Sequence, residues 1–127
     1  MGQEFKILGD VAHQLDETDY FAVGAVKRPN TDYRAGVFAK ADVKQEPAQF
    51  EFELGWVYVH PSARGRGLAS ALVGVLVPTL HGARAYATSR VNNERMHASL
   101  KRFGFKPVGI PYPSQLNEPE IQLFLCE

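Results

Sequence analysis

Cysteine, excess charge of one sign and long apolar runs are all scarce in this chain of 127 residues. The single cysteine, Cys126, excludes an intramolecular disulfide framework. Fourteen Lys and Arg residues balance 14 Asp and Glu residues, so the net charge gives no general attraction to nucleic acid or to an anionic membrane. The longest apolar run, Leu72 to Leu80, is interrupted by Gly74 and Pro78 and is far shorter than the roughly 18 residues of a membrane span. We therefore expect a soluble protein that recognises its partner locally.

The polar first residues, MGQEFKILGD, lack the cationic and apolar regions of a signal peptide, which predicts a cytoplasmic location. The length is typical of one compact domain, so we expect residues 1–127 to form a single domain. We assign no metal site.

The first half of the chain predicts a helix followed by antiparallel strands. Apolar residues recur at helical spacing near the start, at Phe5, Leu8, Val11, Ala12 and Leu15. Two apolar or alternating segments, 20–28 and 35–43, flank the turn-forming residues NTDYR and predict a hairpin. Residues 50–59 predict a central strand, because one set of alternating positions is aromatic or aliphatic: Phe50, Phe52, Leu54, Trp56 and Tyr58.

The second half alternates helices and strands. From Leu68 the apolar period changes from two to about 3.6 residues, which predicts a helix directly after the residues RGRG. A short strand in ARAYATSR, a helix in NNERMHASLKRF that stops at Gly104, and two strands in FKPVGI and EIQLFLCE follow. This order predicts an α/β domain with a mixed central sheet flanked by helices.

The stretch Arg64-Gly65-Arg66-Gly67 joins the central strand to a helix. Backbone N–H groups at such a helix start are unpaired and lie at the positive end of the helix dipole. The glycines permit positive φ and close approach of a bulky group, and the arginines add charge and hydrogen-bond donors. One interpretation is a phosphate-binding turn, and the other is a tight solvated turn with two incidental arginines.

Two familiar phosphate motifs fit poorly, because a P-loop needs a Gly-Lys pair and a dinucleotide fingerprint needs Gly or Ala where Ser70 stands. The stretch instead resembles the acyl-CoA-binding motif of the GNAT superfamily of N-acetyltransferases. There, Val-x-Pro leads to Arg/Gln-x-x-Gly-x-Gly/Ala and a helix, matched here by Val59, Pro61, Arg64, Gly67 and Ala69. The family's later helix, which begins at Asn and ends in Gly-Phe, is matched by Asn93 to Gly104-Phe105.

The resemblance implies a GNAT-like mixed sheet, acetyl-CoA as the acyl-donor cosubstrate and an amine as acceptor, and it leaves a homodimer open. It implies that amides from Arg64 to Ala69 hold the CoA pyrophosphate and that the main chain of Val57 to Val59 pairs with pantetheine and offers an oxyanion-stabilising N–H. The implied cofactor-binding residues are Val57, Tyr58, Val59, Arg64, Gly65, Arg66, Gly67, Leu68, Ala69 and Asn93.

The sequence departs from the family pattern twice. Only about 20 residues precede the first predicted hairpin strand, so we expect the family's N-terminal strand and two helices to be shortened or partly absent. Many members carry a Tyr seven residues after the helix-starting Asn as the acid that protonates departing CoA, and Leu100 stands there. The acceptor and the general acid are therefore open.

Glu53 is the preferred general base, since many GNAT members place a carboxylate at this position of the strand. The alternative is a solvated glutamate on the polar face, like Glu51. His60 precedes Pro61, which favours an ordinary loop residue over a catalytic one. His97 is no convincing replacement for the missing Tyr, and Cys126 is best explained as a small apolar filler.

The leading hypothesis is an N-acetyltransferase that moves an acetyl group from acetyl-CoA to a primary amine by direct attack in a ternary complex. The alternatives are a noncatalytic acyl-CoA-binding or regulatory module, and a protein–protein interaction domain that retained only the fold.

Overall fold

The computed structural model describes residues 22–115 and 117–127. Five strands and three α-helices alternate along this part of the chain. In chain order they are β1 (Ala22–Lys27), α1 (Thr31–Ala41), β2 (Phe52–Val59), α2 (Leu68–Leu76), β3 (Ala85–Arg90), α3 (Glu94–Arg102), β4 (Lys106–Tyr112) and β5 (Ile121–Cys126). The helix predicted near the N-terminus lies outside the described residues.

The strands form one mixed sheet in the order β1-β2-β3-β5-β4. Strands β2 and β3 run parallel, and the other three neighbouring pairs run antiparallel. The predicted α/β class with a mixed sheet flanked by helices is therefore confirmed.

The predicted hairpin is wrong in its second strand, because residues 31–41 form helix α1 instead. The side chain of Asn30 accepts hydrogen bonds from the backbone N–H groups of Asp32 and Tyr33, which caps the helix start. Its buried residues, Val37, Phe38 and Ala41, recur at helical spacing. Sequence alternation around these positions was compatible with a strand, but the asparagine cap and the buried face favour the helix.

The sheet is covered on both faces by separate hydrophobic clusters. One joins α2 and α3 to the sheet and includes Val26, Phe52, Leu54, Val73, Leu76, Ala87, Leu100 and Phe124. The other joins α1 to the sheet and includes Val37, Phe38, Phe50, Tyr86, Tyr112, Leu123 and Leu125. We call these the α2/α3 face and the α1 face.

A β-bulge changes the facing of residues along β2. Val23 lies opposite Tyr58 and Ala25 lies opposite Gly55, so β2 carries one extra residue between these pairs. The predicted common face of the aromatic positions is wrong at both ends, because Tyr58 lies beyond this bulge and Phe50 precedes β2 and ends a short 3-10 helix. Phe50 packs in the cluster of the α1 face, Phe52 packs in that of the α2/α3 face, and Tyr58 is 44% exposed.

Candidate functional site

The glycine-rich turn leads directly into helix α2. Gly65 and Gly67 have φ values of 85° and 74°, in the left-handed region that favours glycine. Gly67 is the N-cap of α2 and supplies no side chain to pair with the first backbone N–H groups of the helix. A Cβ at Gly67 would meet nothing within 4 Å, so the main chain here is open to a ligand.

Strands β2 and β3 separate beside this turn. They pair in parallel at Phe52–Ala85 and Glu53–Tyr86, before the bulge of β2. The last residues of β2 thus lie beyond the described pairing with β3. A split between parallel strands next to a glycine-rich helix start exposes backbone groups to a ligand.

A cavity of about 850 Å³ lies at this split. It is bordered by the end of β2, the glycine-rich turn, the start of α2, the end of β3 and one side of α3. Nine of the ten predicted cofactor residues border it: Val57, Tyr58, Val59, Arg64, Gly65, Gly67, Leu68, Ala69 and Asn93. Arg66 is exposed and does not border it. The fold thus gathers two separate sequence motifs around one space, while their roles in binding stay predictions.

Sequence reasoning missed several residues of the cavity wall: Ser70, Arg90, Asn92, Arg95, Met96, Ala98 and Ser99. The hydroxyl oxygens of Ser70 and Ser99 lie 2.7 Å apart and join α2 to α3. Ser99 also donates to the carbonyl of Arg95, so Ser70 must be the donor in the serine pair. The Asn93 motif pointed to α3, but the sequence had no signal for which side of that helix would meet α2.

Two predicted ligand-binding side chains also have structural contacts. Asn93 caps α3, since its side-chain oxygen accepts from the N–H of Met96 at 3.2 Å. Arg64 donates from Nε to the carbonyl of Val59 at 3.0 Å, which fastens the turn to the last residue of β2. Both contacts fix the shape of the cavity wall.

Glu53 is buried on the α1 face and does not border the cavity. Its carboxylate lies 3.5 Å from Nζ of Lys27 and accepts a hydrogen bond of 3.4 Å from the hydroxyl of Tyr86. A Cβ on Gly55 would lie 2.9 Å from Cε of Lys27, so the glycine leaves room for the lysine side chain to cross β2. Glu53 is 4% exposed, so the alternative of a solvated glutamate is wrong.

Burial raises the pKa of Glu53 above its usual range, and the charge and hydrogen bond of Lys27 partly oppose this shift. Burial and the nearby Glu53 also raise the pKa of Tyr86, which therefore stays a donor. Perturbed carboxyl groups of this kind occur at catalytic sites and in structural ion pairs alike. The structure thus places a proton-binding group beside the β2–β3 split without assigning its role.

The remaining candidates have ordinary structural contacts. The imidazole of His60 accepts from the N–H of Ser62 in the turn after β2, as expected for a loop residue. His97 donates from Nε2 to the carbonyl of Arg90. Leu100 is 1% exposed and packs in the core, and its aliphatic side chain has no acidic proton to donate.

A second, more open depression of about 520 Å³ borders Asp42, Val43, Lys44, Gln45, Val108 and Gly109. It shares no residue with the predicted site. Across residues 22–115 and 117–127, no group of three or more His, Cys, Asp or Glu side chains could hold a metal ion. None of the described helices is long and apolar enough to cross a membrane.

Comparison of the sequence with known protein families identifies the family of this chain. The model of the acetyltransferase (GNAT) family matches residues 14–105. The chain therefore belongs to the GNAT family of acetyltransferases, as its two motifs predicted. No curated protein sequence matches the chain.

Solved structures share the fold at low sequence identity. The structure of the NatC complex bound to Gag peptide and CoA has a TM-score of 0.58 and 16% identity, with 84% of this chain and 60% of that chain covered. NAA60 of Arabidopsis thaliana in complex with acetyl-CoA has a TM-score of 0.54 and 17% identity, with coverages of 83% and 63%. A histone acetyltransferase HPA2 and related acetyltransferase from Corynebacterium glutamicum has a TM-score of 0.56 and 27% identity, with coverages of 86% and 59%. This chain thus spans about three fifths of each of these three chains.

Proposed function

We propose that this chain transfers an acetyl group from acetyl-CoA to a primary amine by direct attack within a ternary complex. The observation that carries the proposal is the cavity at the β2–β3 split, which joins both family motifs in one site. Two of the similar structures contain CoA or acetyl-CoA, which supports the choice of donor.

The residues around the cavity fit the donor's anionic portion. The first turn of α2 presents backbone N–H groups that Gly67 leaves uncapped, and the open space above Gly67 admits close approach of a diphosphate. Within the part of the chain that the structure describes, three arginines and no acidic residue border the cavity. Val57 to Val59, beyond the β2–β3 pairing, offer main-chain groups to a pantetheine arm. Acetyl-CoA would supply the activated acyl group as a thioester.

Glu53 is proposed to accept the proton of the attacking amine. Since its carboxylate does not border the cavity, a water molecule must carry the proton between them. Burial raises the pKa of the Glu53 carboxyl group, which makes its ionised form a stronger base than an exposed carboxylate. Tyr86 and Lys27 hold the carboxylate in place through their contacts.

The departing thiolate is proposed to leave without a side-chain acid at position 100. Leu100 has no proton to give and lies in the core. A thiol resembling Cys has a pKa of about 8.5, so its thiolate is an acceptable leaving group, and water can protonate it.

The direct test combines binding and turnover. We expect acetyl-CoA to raise the melting temperature of the purified chain, because a ligand at 100 times its Kd stabilises the folded state by about 2.7 kcal/mol. With a panel of small amines, amino acids and peptide amines, free thiol should appear in equal amount to the acetylated product identified by mass spectrometry. Absence of any CoA binding would overturn the proposal.

The buried ion pair of Glu53 and the apolar Leu100 also favour a second candidate, a noncatalytic acyl-CoA-binding module. That candidate predicts the same rise in melting temperature but no thiol release with any amine above the rate of spontaneous hydrolysis. The two measurements together separate it from the enzyme.

A further inference from the structure

The wall of the cavity carries a local excess of positive charge. Arg64, Arg90 and Arg95 border it, and no Asp or Glu does so among the described residues. The chain as a whole has a net charge of zero, so this excess is a property of the cavity. Whether each arginine can receive an anionic ligand depends on what it already contacts.

Two of the three guanidinium groups are already engaged. Arg90 forms an ion pair of 3.1 Å with Glu118, which neutralises its charge. It also lies 3.4 Å from the hydroxyl of Ser114 and from the carbonyl of Pro119. Arg64 uses Nε to hold the carbonyl of Val59. These contacts fix the cavity wall and leave less capacity for a ligand.

Arg95 is different. It lies in the first turn of α3, and its Nη1 reaches within 4.0 Å of the position that a Cβ on Gly65 would occupy. Its side chain therefore crosses from α3 to the glycine-rich turn. No carboxylate of the described chain lies within ion-pair distance of this guanidinium. Among residues 22–115 and 117–127 its charge is thus not paired, and it lies beside the backbone N–H groups proposed to hold a diphosphate.

We propose that Arg95 binds a phosphate group of the CoA donor, an inference that rests on the proposed function and adds a residue to it. CoA offers two sources of this chemistry, the diphosphate and the 3′-phosphate of the ribose. A planar guanidinium can donate two parallel hydrogen bonds to phosphate oxygens. Arg95 would approach the phosphate from α3, whereas the backbone amides approach it from the glycine-rich turn. Arg95 thus closes the anion site from the wall opposite the glycine-rich turn.

The test measures binding of CoA and of 3′-dephospho-CoA by titration calorimetry to three forms of the full chain. These are the unsubstituted protein, Arg95→Gln, and the matched control Arg102→Gln at the other end of the same helix. We expect Arg95→Gln to weaken CoA binding by about tenfold, the effect of one lost charge-assisted hydrogen bond. The loss should shrink at high salt, since exposed charges are screened. Arg102 is exposed and stacks on Phe103, so Arg102→Gln should bind like the unsubstituted protein.

The two ligands identify the phosphate. A loss seen with CoA alone assigns Arg95 to the 3′-phosphate, and a loss seen with both assigns it to the diphosphate. Equal affinities of the folded Arg95→Gln and Arg102→Gln proteins for both ligands would overturn the inference while leaving the proposed function intact. Failure of the unsubstituted protein to bind CoA would instead overturn the proposed function.

Discussion

The two faces of the sheet use polar groups in opposite ways. On the α2/α3 face, glycines and separated strands leave backbone groups and the guanidinium of Arg95 open to a cavity of about 850 Å³. On the α1 face, Glu53 is buried, and its carboxylate is held by Lys27 and Tyr86. Open backbone groups suit recognition of a large anionic ligand, whereas burial suits the adjustment of a pKa. The difference predicts that substitutions on one face change donor binding and those on the other change proton transfer.

The largest expected effect is on turnover in Glu53→Gln. Loss of a positioned base should lower kcat by about 10²–10⁴-fold, with little change in acetyl-CoA affinity. The deficit should shrink at higher pH, where more of the acceptor amine is already neutral. Turnover equal to that of the unsubstituted protein at neutral pH, with chemistry limiting the rate, would leave Glu53 without a base role.

Stability provides an independent check on the same variant. Because the pKa of Glu53 is raised on folding, its favourable contribution is complete below the ordinary carboxyl pKa and is lost as the pH rises through the folded value. Above its folded pKa the buried carboxylate therefore destabilises the folded state relative to a carboxylate in water. Lys27 is already partly exposed, so water can solvate its ammonium group when the carboxylate is removed. We expect Glu53→Gln to unfold at an equal or higher temperature at neutral pH. A clear drop would indicate a structural ion pair.

The next effect concerns donor binding on the α2/α3 face. Gly67→Val should cost about 1–3 kcal/mol in backbone strain and weaken acetyl-CoA binding by more than about tenfold, because the side chain fills the approach to the turn. Gly82 is a matched control, since its φ is 80° against 74° at Gly67 and a Cβ would meet nothing within 4 Å at either. Gly82→Val should be destabilised similarly yet bind normally. Equal acetyl-CoA affinities of the Gly67→Val and Gly82→Val proteins would show that acetyl-CoA does not bind at the glycine-rich turn.

These two sites differ in how far the sequence alone could predict them. The glycine-rich turn and the Asn93 helix were recognisable, because φ preferences and helix caps are local and leave a pattern in neighbouring residues. Glu53 was found only by its resemblance to a family position. Its burial depends on Lys27, Tyr86 and helix α1, which come from other parts of the chain.

Helix α1 shows why the first half was harder to predict. Its sequence, TDYRAGVFAKA, has a weak contrast between faces, with Gly36 in its centre and only Val37, Phe38 and Ala41 buried. Tertiary packing against Tyr86, Tyr112 and Leu123 therefore decides the structure more than local preference does. Arg95 was missed for a related reason, because its position opposite Gly65 depends on how α3 packs against α2.

A smaller effect is expected from Lys27→Met, which changes the environment of Glu53 without removing it. The charge of Lys27 lowers the pKa of Glu53, so its loss should raise that pKa and move the acidic limb of the kcat/KM profile to higher pH. The other charged or titratable groups that interact in this cluster are Tyr33 and Arg34 from α1, Tyr86 from β3 and Tyr112 from β4. Burial raises the pKa of each of these tyrosines, which keeps them neutral in this range. Arg28→Met is the control, because Arg28 follows Lys27 in the sequence but pairs with the exposed Glu51 instead of Glu53. If the acidic limb of Lys27→Met does not move, ionisation of Glu53 does not control kcat/KM.

The smallest effect on turnover is expected from Leu100→Tyr, which restores the family's usual acid. Leu100 packs in the core beside Phe105 and Phe124, so a larger ring should cost about 1–3 kcal/mol in overpacking. Leu100→Phe carries the same ring without the hydroxyl and isolates that cost. If departure of the thiolate needs no side-chain acid, the two variants should turn over at similar rates, with neither gaining a descending limb at high pH. A turnover at least ten times higher in the tyrosine variant, together with such a limb, would show that position 100 reaches the sulfur and that proton donation limits the native rate. In that case the two faces would not divide donor binding from proton transfer, because helix α3 on the donor-binding face would also supply a proton-donating acid.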